Sequence, residues 1–126
     1  MNVEKENGAT ILVIDDEPDM LALFERILKP EGFDVLLTVD GVYGLSLLEQ
    51  ARPDLVLLDI MMPGPDGLEV LQRIRQSSNI PVIMVSAKRD TKSLQKALSS
   101  GADDYILKPF RPTELVARVK TKLRRV

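Results

Sequence analysis

"PDLVLLDIMMPGPDG", residues 53–67, decides how the chain is read. Val56, Leu57 and Leu58 form an apolar run without in–out alternation, the pattern of a strand buried on both faces. Asp59 ends that run, and Pro63, Gly64, Pro65 and Gly67 break the chain before a helical pattern resumes at Leu68. A carboxylate at the lip of a buried strand needs compensation, because desolvating a charge is costly.

The same order of apolar run, turn and helix repeats on both sides of this stretch. TILVI (10–14), FDVLLT (33–38), DLVLL (54–58), PVIMVS (81–86) and DYILK (104–108) read as five strands. Helical patterns lie between and after them. Pro18 suits a first turn, followed by Leu21, Phe24 and Leu28 on one face. Val42 to Ala51 is weaker, diluted by Gly44. Leu68, Leu71 and Ile74 or Arg75 mark a third helix. Asp90 caps a fourth that carries Leu94, Ala97 and Leu98 and stops at Gly101. A fifth begins near Pro112 and carries Leu115, Val119 and Leu123, with cations near its end. Five βα units imply an α/β, doubly wound, flavodoxin-like parallel sheet with helices on both faces, strand order 2-1-3-4-5.

Composition narrows the chemistry. At 126 residues one domain is expected, 10–126, behind a flexible tail at 1–9. A net charge of −2 gives no general affinity for nucleic acid or anionic membranes. The chain has no cysteine and no histidine, which excludes disulfides, thiolate chemistry and the usual neutral-pH base. No apolar stretch reaches the roughly 20 residues of a membrane helix, and MNVEKENGAT is not a signal peptide. A cytoplasmic address is therefore expected. Catalysis, if any, rests on carboxylates, hydroxyls, lysine and an oxygen-ligated cation.

The expected fold gathers the polar residues. Asp15 and Asp16 follow the first strand and Asp59 the third, while Ser86 ends the fourth and Lys108 the fifth. All sit at strand carboxyl ends, the edge where open α/β sheets bind ligands. Two like charges about 4 Å apart repel by roughly 4 kcal/mol at an effective dielectric near 20. Either one acid is protonated or a cation sits among them, and a hard oxygen donor set favours Mg²⁺. A carboxylate nucleophile, a divalent cation, a lysine and a hydroxyl suffice to accept a phosphoryl group. Plainer roles compete: Asp15 and Asp16 as helix-start acids, Asp59 as a turn former, Ser86 as a strand-end hydrogen-bonder and Tyr105 as a half-buried aromatic. An aspartate-nucleophile phosphatase would want a D-x-D after the first strand, where the chain has Asp15-Asp16-Glu17-Pro18. A flavin or nucleotide binder would want a phosphate-cradling loop, and "DDEPDM" repels phosphate. A docking scaffold would not need every site position filled.

"ILVIDDEP", "DLVLLDIMMPGPDG", "PVIMVSAK" and "GADDYILKPF" resemble the receiver domain of two-component response regulators, from about Thr10 to Arg125. The resemblance implies that Asp59 accepts a phosphoryl group from a sensor histidine kinase, and that Asp15, Asp16, Asp59 and the Met61 carbonyl bind Mg²⁺. Ser86 and Lys108 would hold phosphoryl oxygens, Tyr105 would be an aromatic switch, and Lys108–Pro109 would be cis. The domain is then a signalling switch that assists its own phosphorylation and dephosphorylation, not a turnover enzyme.

"GADDYILKPFRPTELVARVKTKLRR" resembles the OmpR/PhoB class, whose receivers precede a winged-helix DNA-binding domain. In that class the fourth helix, fifth strand and fifth helix form a two-fold dimer on phosphorylation, and Asp103, Asp104, Glu114 and Arg118 match its charged pattern. Leu94 stands where the class carries a basic residue, with Lys92 and Lys96 nearby. The chain is expected to be an excised receiver that meets DNA only through an output domain outside these residues.

Overall fold

A computed structural model describes residues 8–124 of the chain. Five strands, β1 (Thr10–Ile14), β2 (Asp34–Thr38), β3 (Leu55–Leu58), β4 (Val82–Ser86) and β5 (Asp104–Leu107), alternate with five α-helices. These are α1 (Pro18–Leu28), α2 (Gly41–Ala51), α3 (Gly67–Arg75), α4 (Thr91–Ser99) and α5 (Pro112–Leu123). A 3-10 turn at Lys29–Glu31, not foreseen from the sequence, extends α1 and ends at Gly32, whose φ is 92°. Every strand pair is parallel, and the order is β2-β1-β3-β4-β5, the doubly wound arrangement that was expected.

Alternation along the strands divides the core in two. Ile11, Val13, Leu55, Leu57, Ile83 and Val85 face α1 and α5, where Phe24, Leu28, Leu115 and Val119 meet them. Leu12, Ile14, Val56, Leu58, Val82 and Met84 face the other side, against Val70, Leu71, Ile74 and Ala97. Each such side chain contributes roughly 1.5–3 kcal/mol on burial, so the sheet is held rigid from both faces. Asp40, Asp66 and Asp90 cap α2, α3 and α4 by accepting from the amides of Val42, Glu69 and Ser93.

The structure corrects several sequence expectations. Gly8 and Ala9 belong to the fold rather than to a tail: Ala9 is buried, and the Gly8 amide donates to Gly32 O at 2.9 Å. The rest of the expected tail, residues 1–7, lies outside the described residues, as do 125–126. In α3 the fully buried residues are Gly67, Val70, Leu71 and Ile74, and Leu68 is half-buried against the same core. In α4 only Ala97 is buried, and Leu94 and Leu98 are 37% and 45% exposed. The small residue allows the helix to approach the sheet, which leaves the two leucines on its outer sides. Gly44, the weak point of α2 by propensity, is what seats that helix. A Cβ there would stand 2.5 Å from Ile14 Cδ1.

The register fixes the rim. Ile14 pairs with Leu58, so Asp15 and Asp59 leave the sheet side by side. Ser86 pairs with Leu107, which puts Lys108 next to Ser86.

Candidate functional site

Backbone hydrogen bonds carry each rim residue one step beyond its strand. The Asp59 amide donates to Ile14 O at 3.0 Å, the Asp15 amide to Thr38 O at 3.1 Å and the Lys108 amide to Ser86 O at 2.9 Å. Side chains attached to such anchored backbone have little freedom to diverge. One carboxylate oxygen from each of Asp15, Asp16 and Asp59 accordingly lies within 4.8 Å of the others. Asp15 and Asp59 are buried, and Asp16 is half-buried.

Lys108 reaches into this cluster from the end of β5. Its Nζ stands 2.8 Å from Asp15 Oδ2, 3.5 Å from Asp59 Oδ2 and 3.7 Å from Glu17 Oε1. Burial pulls the ammonium toward lower pKa, but the hydrogen bond and charge of Asp15, with Asp59 and Glu17, outweigh it and hold Lys108 above its ordinary value. Asp59 is raised above the ordinary carboxylate value. Its burial raises the pKa most, the nearby Lys108 opposes that, and the Asp15 and Asp16 charges add to it, leaving the group pushed up to about 6. Asp15, Glu17 and Asp59 share Lys108 with Asp16 close by, so the locus lacks positive charge.

The donor set fits a small hard cation. An octahedral ion with oxygen ligands at about 2.0–2.1 Å spaces neighbouring ligands by about 3 Å, within reach of modest side-chain rotation from the present cluster. Asp16, Glu17, Asp59, Met61, Ala87 and Lys108 line a cleft of about 290 Å³ open to solvent beside these acids. Asp15 fills the plain helix-start role and still faces the cluster. Its Oδ1 accepts from the Glu17 amide at 3.0 Å, forming the turn into α1, while Oδ2 faces Lys108.

Ser86 is fully buried, and its Oγ accepts from the Lys88 amide at 3.1 Å. Tyr105 donates its hydroxyl to Lys88 O at 2.8 Å. Burial raises the Tyr105 pKa, and a hydrogen bond with Ser86 works against it. Both ends of the Lys88 residue are thus held by the side chains expected to sense the site. The Met61 amide donates to Asp59 Oδ1 at 3.3 Å, and the Met61 side chain is exposed. Lys108–Pro109 is cis.

Three of the four charged residues expected at an interface come together. Arg118 Nη1 pairs with Asp104 Oδ1 at 2.7 Å, and Nη2 with Glu114 Oε2 at 3.3 Å. Asp103 does not join them. Its carboxylate accepts from the Val82 amide at 2.8 Å and from Arg75 at 2.9 Å.

Glu17 and Arg75 were missed by sequence reading. Adjacency to Asp15-Asp16 could have drawn attention to Glu17. Nothing local signals Arg75, which also donates to Gly101 O at 2.9 Å and Ser78 O at 3.2 Å.

Known proteins share this fold. Residues 11–120 match the family model described as response regulator receiver domain. The DNA-binding response regulator MtrA of Mycolicibacterium smegmatis is 48% identical over 115 residues, which cover 91% of this chain and 50% of that protein. MtrA of Mycobacterium leprae is likewise 48% identical, over 91% of this chain and 51% of its own length. The chain therefore spans about half the length of these curated relatives. The BeF3-activated N-terminal receiver domain of Klebsiella pneumoniae RstA superposes with a TM-score of 0.89 at 32% identity, covering 92% of this chain and 99% of that one. A putative response regulator from Chloroflexus aurantiacus gives 0.90 at 33% identity, covering 94% and 100%.

Proposed function

The chain belongs to the response regulator receiver domain family, and on that footing we propose that Asp59 is the residue its signal is written on. A carboxylate oxygen of Asp59 attacks the phosphorus of a phosphohistidine on a sensor kinase. The O–P bond forms as the N–P bond breaks, and the leaving imidazole nitrogen keeps the electron pair of the broken bond. Asp15, Asp16, Asp59 and the Met61 carbonyl would hold Mg²⁺, which when bound would neutralise the charge of the acids and the incoming phosphoryl group. Lys108 shields the acceptor before transfer and bonds a phosphoryl oxygen afterwards. Ser86 donates its hydroxyl to another.

The observation that carries this reading is the convergence of three acids within 4.8 Å of one another, with the Lys108 ammonium 3.5 Å from Asp59. Phosphorylation adds negative charge and acceptor oxygens. Drawing Ser86 toward them removes the acceptor of the Lys88 amide and loosens the latch shared with Tyr105. That biases the face made by α4, β5 and α5, where Leu94, Leu98, Asp104, Glu114 and Arg118 lie, toward a two-fold homodimer. Asp103, bonded to Arg75 and the Val82 amide, stands apart from the Asp104, Glu114 and Arg118 cluster of that face. The dimer then serves transcription through a DNA-binding domain of the parent protein, and the domain works in the cytoplasm.

Incubation with acetyl phosphate tests the assignment. Mg²⁺-dependent addition of one phosphoryl group, read by intact mass, supports it, provided Asp59→Asn takes none. Undiminished labelling of that variant refutes it.

A further inference from the structure

Gly67 opens α3 directly behind the candidate acceptor, at the neck of the loop that runs from Asp59 to Asp66. A Cβ on Gly67 would overlap the Asp59 carbonyl oxygen and stand 2.7 Å from both the Asp59 carbonyl carbon and the Ile60 Cα. These are backbone atoms, and they are pinned. The Asp59 amide donates to Ile14 O at 3.0 Å, and the Gly67 amide donates to Ile60 O at 2.9 Å. Ile60 itself is buried. Gly41 and Gly44 are different, because the nearest atoms to a Cβ there are the side-chain ends Val70 Cγ2 and Ile14 Cδ1. Such ends can yield, whereas the Asp59–Ile60 peptide cannot shift without moving what it carries.

That peptide carries two groups of the proposed site. The Asp59 carboxylate projects from it, and the Met61 amide donates to Asp59 Oδ1 at 3.3 Å. A displacement at the neck therefore moves the carboxylate and the Met61 peptide together, relative to Asp15 and Asp16 on β1.

We propose that Gly67 is a positioning residue for phosphoryl acceptance. By letting the first turn of α3 rest on the Asp59–Ile60 peptide, it sets where the Asp59 carboxylate and the Met61 carbonyl stand against Asp15 and Asp16. The inference rests on the reading of Asp59 as acceptor.

Gly67→Ala tests it beside Val119→Ala, a destabilising control in the α5 core far from the rim. The readouts are backbone amide shifts without metal, Mg²⁺ affinity by titration, and labelling rate with acetyl phosphate. Gly67→Ala is expected to shift the amides of Asp59, Ile60 and Met61 before any metal is added. It should lower Mg²⁺ affinity roughly 10- to 100-fold, as loss of a supporting contact does, and labelling about a hundredfold, as an ångström of misplacement does. Val119→Ala should lower stability and leave Mg²⁺ affinity at the wild-type value. Losses in Gly67→Ala no greater than those in Val119→Ala overturn the proposal. Should Gly67→Ala be unfolded in buffer, it is refolded with trimethylamine N-oxide. Wild-type affinity there, or failure to refold, assigns Gly67 to the fold alone and also overturns it. A wild-type protein that takes no label overturns the reading of Asp59 instead, while the metal-free amide shifts still judge Gly67.

Discussion

Replacing Asp59 with asparagine should stabilise the metal-free protein, although it removes the residue at the centre of the site. The buried carboxyl has its pKa pushed from 3.8 up to about 6. A shift of about 2 units, at 1.36 kcal/mol each, means that keeping Asp59 ionised costs the fold about 3 kcal/mol. The sign follows from proton linkage. Between pH 3.8 and about 6 the folded protein holds a proton that the unfolded chain has lost, so stability falls as pH rises through that window. Above it the penalty is complete, and below it the penalty is absent. The asparagine side chain would keep the hydrogen bond from the Met61 amide and leave Lys108 its closest partner, Asp15, at 2.8 Å. Urea unfolding in EDTA should therefore show Asp59→Asn more stable than wild type by about 3 kcal/mol at pH 7.5, with a melting temperature higher by something on the order of 10 °C. The difference should shrink through pH 6 and vanish near pH 3.8. Added Mg²⁺ should raise the wild type and close the gap at pH 7.5. Equal stabilities in EDTA, or a difference that persists on acidification, would refute the electrostatic reasoning.

Asp16→Ala, at a half-buried position, should weaken Mg²⁺ binding at least tenfold while changing stability by less than about 1 kcal/mol, checked by calorimetric titration and urea unfolding. Arg118→Ala removes the partner of both Asp104 and Glu114. It should weaken the beryllofluoride-induced dimer tenfold or more in sedimentation, in keeping with arginine hot spots. Arg75→Ala leaves Gly101 O, Ser78 O and Asp103 without their shared donor. It should cost about 2–3 kcal/mol, since hydrogen bonds to charged groups are worth roughly 1.5–3. Hydrogen exchange should rise first at residues 99–104.

The fold was legible because its signals are local and repeated. Val56–Leu58 and Ile83–Val85 are apolar without alternation, as two-sided burial demands, and Asp90 marks a helix start by its own capping chemistry. Convergence of Asp15, Asp59, Ser86 and Lys108 followed from strand order alone, because strand ends share an edge whatever their side chains do. What escaped the sequence depends on distances between elements. Gly44 looked like a defect until its contact with Ile14 was seen, and Gly67 looked like a turn residue until the Asp59 carbonyl appeared behind it. Leu94 and Leu98 have helical spacing suited to a core, yet Ala97 between them takes the buried position. Asp103 and Asp104 are adjacent and chemically identical. Asp103, just before β5, turns to Arg75, and Asp104, the first residue of β5, turns to Arg118.

The central claim is that acids brought together by the sheet make Asp59 the phosphoryl acceptor. Borohydride reduction converts an aspartyl phosphate to homoserine, so peptide mapping after acetyl phosphate, Mg²⁺ and borohydride locates the acceptor directly. Homoserine at position 59, and its loss when EDTA replaces Mg²⁺, is the expected result. Homoserine at position 15 or 16 with Asp59 intact would contradict the claim.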